Sequence, residues 1–182
     1  MKSGIILKTF SLKDGRRVVL RTPKWEDLDD LLELINSLVG EKAEVIVDEK
    51  LSREQEAEWL SDMLLRLEKG QIFFLVAEVD GKLAASSDLH VGKGSEKHAG
   101  AVGIAVKSGF RDLGLGTRLM RAIVKEAQKI GLKVLVLSVF ATNRRAIHVY
   151  EKVGFVQTGR VPKKHFREGN YIDEIAMAKL LE

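Results

Sequence analysis

The stretch "RDLGLGTRLM", Arg111 to Met120, decides how this chain is read. It sets an arginine before two glycines spaced G-x-G and then runs into apolar residues at helical spacing: Leu115, Leu119, Ile123, Ala127 and Ile130, with Gly131 as the stop. A strand-to-helix turn can use glycine for its backbone alone. The same residues also suit an anion, because glycine bares the amides and a helix start adds unpaired N–H groups and about half a positive charge. Arg111 adds a full one. A Walker loop would need a lysine-serine or lysine-threonine pair after the glycines, and the dinucleotide fingerprint would need glycine where Leu119 stands. What remains, R-x-x-G-x-G between a strand and a helix, would suit a pyrophosphate.

Outward from the loop, "AGAVGIAV" (99–106) precedes it as a strand and "KVLVLSVF" (133–140) follows as a buried one. "NRRAIHVYEKVG" (143–154) reads as a short helix capped by Gly154, and "YIDEIAMAKLL" (171–181) as a terminal strand. Toward the N-terminus, "QIFFLVAEVDGKLAASSDLHV" (71–91) is two strands turned by Asp80-Gly81, the first nearly all apolar and therefore central in a sheet. "LKTFSL" and "RVVLRT" flank a similar turn at Asp14-Gly15. Between these hairpins lie two helices. One starts at "TPKWED" and carries Leu28, Leu31, Leu32, Ile35 and Leu38 on a face; the other opens on a Ser52/Gln55 capping box and carries Ala57, Leu60, Leu64 and Leu67 as far as Gly70. An antiparallel run followed by strand-helix-strand-helix-strand predicts an α/β fold with a mixed sheet. No repeat or linker interrupts it, so residues 1–182 read as a single domain.

With 45% apolar and 31% charged residues the chain is ordinary for one soluble core. The absence of cysteine excludes disulfides, thiolate metal sites and a cysteine nucleophile, and no metal is expected. The apolar run in "MKSGIILKTF" is too short for a signal-peptide core and no stretch approaches a membrane span, so a cytoplasmic protein without membrane contact is expected. Only seven Asn and Gln beside abundant Lys, Glu and Arg suggest a thermophilic source. The net charge of +4 divides unevenly: residues 1–106 carry −4 and residues 107–182 carry +8. A basic half fits an anionic ligand. Nucleic acid is not the expected one, because aromatics are only 6% and none interleaves with the basic residues as a stacking motif.

The strand "AVGIAV", the loop "RDLGLG", the strand "VLVLSVF" and the run N-x-x-A-I-x-x-Y-x-K-x-G-F from Asn143 to Phe155 together resemble the GNAT superfamily of N-acetyltransferases, most closely over residues 99–158. The resemblance implies the GNAT acyl-CoA N-acyltransferase fold, a splayed central sheet flanked by helices, with acetyl-CoA as co-substrate. Backbone groups of Ile104, Ala105 and Val106 would bind the pantetheine arm. Amides of Arg111, Asp112, Leu113, Gly114, Leu115, Gly116 and Thr117 would hold the pyrophosphate. Asn143, Ala146 and Tyr150 match positions at the thiol end, and Tyr150 matches the general acid for the leaving thiolate. The C-terminal D-E-x-x-M resembles the branch containing ribosomal-protein and spermidine acetyltransferases, in which dimers are common, and "GRVPKKHFREGN" (159–170) would be the variable loop before the last strand.

Many relatives place a glutamate base on the strand before the phosphate loop, and "AGAVGIAV" has no carboxylate. Glu44, Asp48, Asp88, His90, His98, Glu174 or a water relay could serve instead. Deprotonating an amine of pKa about 10.4 at pH 7 costs on the order of 4 to 5 kcal/mol, against about 1 for an α-amine near 8. A weak base therefore favours an amino acid or a peptide N-terminus as acceptor, while the acidic run at 40–50 would attract a polyamine. The alternative from another class is a non-catalytic module that binds acyl-CoA on the same scaffold.

Overall fold

A computed structural model describes residues 2–45 and 47–182, so Ile46, inside the acidic run, lies outside the described residues. The described residues build one eight-stranded sheet and four α-helices in the order β1 (Ile6–Ser11), β2 (Arg17–Arg21), α1 (Leu28–Gly40), α2 (Arg53–Glu68), β3 (Ile72–Val79), β4 (Lys82–Val91), β5 (Ala99–Val106), α3 (Leu115–Lys129), β6 (Val134–Phe140), α4 (Arg144–Val153), β7 (Val156–Arg167) and β8 (Asn170–Leu180). Across the sheet the strands run β1-β2-β3-β4-β5-β6-β8-β7. Only β5 and β6 pair in parallel, joined by α3 as the crossover.

The continuous apolar run of β3 is explained by a helix layer on each face. Phe73, Leu75 and Ala77 enter a core shared with Leu115, Leu119 and Ile123 of α3. Ile72, Phe74 and Val76 point the other way, into a core with Leu28, Leu31 and Leu34 of α1 and Leu60, Met63 and Leu67 of α2. Alternation with period two thus splits one apolar strand between two cores. The Asp80-Gly81 turn has positive φ at both residues, 51° and 78°, as a two-residue hairpin turn requires. Ser52 accepts from the Gln55 amide and the Gln55 side chain returns to the Ser52 amide, fixing the start of α2.

Three details differ from the sequence expectation. Leu34, not Leu32 or Ile35, completes the buried stripe of α1; the latter two are half-buried, and Ile35 lines a cleft. Ile130 follows the last turn of α3 and is 55% exposed. Residues 159–170 are not a loop: β7 spans Val156–Arg167, and only the turn at Glu168-Gly169 interrupts its hairpin with β8. Pro162 and the positive φ of Lys163 had hidden the strand. Both are accommodated where the register shifts between Val161 and His165, on an edge strand that tolerates the missing amide.

Candidate active site

The site begins where β5 and β6 part. Their ladder holds at Ala99, Gly100 and Ala101 opposite Val134, Leu135 and Val136 and then stops, although β5 continues to Val106 and β6 to Phe140. Beyond Ala101 the side of β5 facing β6 has no strand partner, and a cleft of about 1490 Å³ opens in the split. Ile104, Ala105 and Val106 line it, so an extended polar chain lying there meets unpaired ladder positions, as an added strand does.

At one end of the cleft is the start of α3. Gly114 caps the helix at φ 86°, a left-handed conformation that leaves the incoming chain turned back on itself. The preceding amides close a turn, Phe110 N–H to Lys107 and Arg111 N–H to Ser108, and the next intrachain backbone bond is Arg118 N–H to Gly114 O. Among the described residues the six amides from Asp112 to Thr117 have no internal acceptor. Six free donors at the positive end of a fifteen-residue helix form a cradle for a diphosphate. The side chains of Leu113 and Leu115 pack with the core, and neither residue is among those lining the cleft. Arg111 is less free than its charge suggests: its guanidinium donates to the Val106 carbonyl at 3.0 Å and pairs with Glu41.

Beside this loop lies α4, whose Arg145 pairs with Asp112, and it brings in Tyr150, 6% exposed and packed against Phe155. Burial and the nearby Asp88 carboxylate push its phenol up to about 12, so it stays protonated and can only donate at neutral pH. Asn143 caps this helix, accepting from the Ala146 amide at 3.0 Å, while its amide group reaches the Glu44 carbonyl at 3.4 Å. The cap therefore ties α4 to the segment after α1. Asn143, Ala146 and Tyr150 all line the cleft.

The profile of the acetyltransferase (GNAT) family matches residues 28–155, more than half of the chain. The chain belongs to the GNAT family. It is 32% identical over 108 residues to an L-amino acid N-acetyltransferase of Escherichia coli, covering 58% of this chain and 67% of that protein. Its fold superposes with a TM-score of 0.79 on a Salmonella typhimurium acetyltransferase solved with its cofactor acetyl-CoA, at 20% identity over 91% of this chain and 94% of the other. A ribosomal-protein-alanine N-acetyltransferase of Brucella melitensis gives the same TM-score at 24% identity, covering 89% and 99%. As a GNAT enzyme the chain transfers an acetyl group from acetyl-CoA to an amine. The cleft fits that co-substrate: free amides suit its diphosphate and the unpaired edge of β5 its amide-bearing arm.

The carboxylates and histidines expected from sequence are dispersed around this GNAT cleft. Glu44, Asp88 and Glu174 line it, whereas Asp48 and His98 are exposed elsewhere. His90 stands behind Asp88, its Nε2 2.7 Å from the carboxylate and its Nδ1 3.1 Å from an Arg66 guanidinium nitrogen. Because arginine only donates, Nδ1 accepts and Nε2–H donates to Asp88. Glu174 is engaged on all sides: burial works against its charge, but hydrogen bonds from Lys164, His165 and Ser138 outweigh it and hold the carboxyl below its usual value. A fourth carboxylate was not singled out. Glu56 of α2 lines the cleft, is 3% exposed, and has no hydrogen bond or ion pair to its carboxyl among the described residues. Burial alone pushes it up to about 7. Its only sequence signal is a glutamate on the apolar side of α2, at i−4 from Leu60, in a helix otherwise rich in exposed charge.

No helix among the described residues is long and apolar enough to cross a membrane, and no group of three or more metal-ligating side chains occurs among them.

Proposed function

We propose that the diphosphate of acetyl-CoA sits on the amides of Asp112–Thr117, that its pantetheine arm lies along Ile104–Val106, and that the acceptor is a small-molecule amine or a peptide N-terminus approaching from the α1–α2 side. The observation that carries the first two assignments is continuity: six free amides follow in the chain from an unpaired strand edge, and Asp88, which pairs opposite Gly103 on that strand, is near enough to Tyr150 to act on its phenol. Acetyl-CoA supplies the electrophile, a thioester carbonyl. The chain supplies position and protons. The Val106 amide, on the side of β5 turned away from β4, polarises the carbonyl, whereas the Ala105 amide faces β4; the Tyr150 hydroxyl donates its proton to the departing sulfur. Leu31, Ile35 and Leu38 of α1 and Trp59 of α2 wall the acceptor side and exclude water. The similarity to an amino-acid acetyltransferase and to the fold of a ribosomal-protein-alanine acetyltransferase supports an α-amine acceptor.

The test is hydrogen exchange read residue by residue. Coenzyme A is expected to slow exchange at Leu113–Thr117 and along β5, whereas pantetheine, which lacks the diphosphate, slows only β5. Equal protection by both ligands, or protection at neither place, would overturn the assignment.

A further inference from the structure

We propose that Glu56 is the carboxylate that receives the acceptor: it holds the incoming amine as an ammonium ion, takes its proton, and selects an acceptor whose surroundings are apolar and free of anionic groups. The proposal rests on the acetyltransferase reading of the cleft.

The first argument is isolation. A buried carboxylate normally has a partner, because an unpaired buried charge is costly. Glu56 has none among the described residues, and no other charge contributes to its displaced titration. The charged groups on the elements packed against α2 are committed elsewhere. On α1, Asp29 pairs with Arg53, Asp30 with Lys82 and Glu33 with Lys107. Asp27 at the start of α1 and Glu78 of β3 both pair with Arg21, and Glu26 is exposed. Across the cleft Asp88 is held by His90, and Glu174 by Lys164 and His165; Glu44 is half-buried on the segment after α1. Among the described residues Glu56 is thus a cleft carboxylate without a partner, its oxygens open to the cleft, and a cation from outside fits.

The second argument is what surrounds it. The acceptor side is built from Leu31, Ile35, Leu38, Leu51 and Trp59, with no basic side chain among them. Of the basic residues lining the cleft, Lys42 pairs with Glu168, Arg111 with Glu41 and Arg145 with Asp112. Lys13, His148 and Lys152 are exposed: Lys13 precedes the turn whose Arg16 bonds the Gly109 carbonyl beside the phosphate loop, and His148 and Lys152 are on α4, which packs on α3. A free amino acid would bring its own carboxylate beside Glu56 with no cation to meet it. A peptide N-terminus or a neutral alkyl amine brings only the ammonium.

Proton balance is simple. One ammonium N–H proton passes to the Glu56 oxygen and the amine nitrogen attacks the thioester carbon; as the C–S bond breaks the sulfur takes the proton from Tyr150, the second proton of the attacking nitrogen goes to the Tyr150 oxygen, and Glu56 releases its own to solvent. A carboxyl that titrates near neutrality is half ionised at working pH and can accept and return that proton.

The test uses Glu56→Gln, which keeps volume and removes the charge. With L-alanine amide as acceptor, kcat/KM is expected to fall by about 10²-fold or more, and the acid limb of its pH profile near 7 disappears, while the KM for acetyl-CoA stays within about threefold. An unchanged kcat/KM with the limb intact would overturn the proposal while leaving the acetyltransferase reading standing. Failure of the wild type to bind coenzyme A would instead overturn that reading. A second measurement needs no turnover. The 13C carboxyl resonance of Glu56, assigned by its absence in Glu56→Gln, is followed from pH 4 to 9 in the wild type. Saturating alanine amide is expected to move its midpoint down and acetylalanine amide, which has no amine, to leave it in place. A midpoint near 4.5 in the free protein, or one that ignores the amine, overturns the assignment.

Discussion

At the scale of single residues, burial gives two groups opposite duties. Tyr150 is buried beside a carboxylate and so keeps its proton far above neutrality; Glu56 is buried without a partner and gives its proton up only near neutrality. Tyr150→Phe removes the donor but not the ring that packs on Phe155, so the fold and the KM for acetyl-CoA should survive. Turnover is expected to drop by about 10²-fold, and a drop below threefold would remove Tyr150 from the proton path. Glu56 also leaves a mark on stability. Its folded pKa of about 7 lies above the ordinary 4.5, so the folded chain holds this proton more tightly than the unfolded one. The contribution is complete below about 4.5, declines as pH rises, and is gone above about 7. The urea midpoint of the free protein should fall over that window, and Glu56→Gln should flatten that part of the curve.

At the scale of elements, the cleft depends on how two helices begin. Gly114 starts α3 in a left-handed conformation with nothing within 4 Å of where a Cβ would stand. Gly114→Ala therefore carries a backbone cost of about 1 to 2 kcal/mol without a clash, and the expected readout is a Tm lower by a few degrees together with weaker coenzyme A binding. Asn143→Ala removes the cap of α4 and the contact to Glu44, and should cost about 1 kcal/mol. If binding is unaffected by the first change and stability by the second, these helix starts do not shape the cleft as described.

Elements also show what could be read in advance. The α3 loop, the Gly154 end of α4 and both hairpin turns were legible because glycine and aspartate sit where the backbone needs them. β7 was not, since Pro162 and a positive φ at Lys163 break the alternation that identifies a strand. Glu56 was not legible either. On a helix with seven charged residues, which glutamate turns inward is decided by how α2 lies on α1 and β3, a tertiary fact with no local signature. Likewise the charge of Arg111 was visible, but its pairing with Glu41, seventy residues away in sequence, was not.

For the whole molecule, the uneven charge acquires a place. The N-terminal portion, with its excess of acids, supplies α1 and α2 on the acceptor side, and the C-terminal portion, with its excess of bases, supplies α3 and α4 around the phosphate loop. The sheet joins them except beyond Ala101, where it parts. Such a field should draw the polyanionic co-substrate to one end of the cleft and a cationic acceptor to the other. The KM for acetyl-CoA should therefore rise as salt increases from about 0.01 to 0.15 M, over which the screening length falls from roughly 30 to 8 Å; a KM independent of salt would show that the amides alone hold the diphosphate.

The most direct test of the central claim is thiol release from acetyl-CoA with alanine amide, short peptides with a free N-terminus, spermidine and free amino acids as acceptors. The account predicts release that depends on an added amine, is fastest with carboxylate-free α-amines, and is matched by acetyl groups on the acceptor. Release only with free amino acids would contradict the acceptor assignment, and tight coenzyme A binding with no release for any amine would contradict the transfer reaction itself.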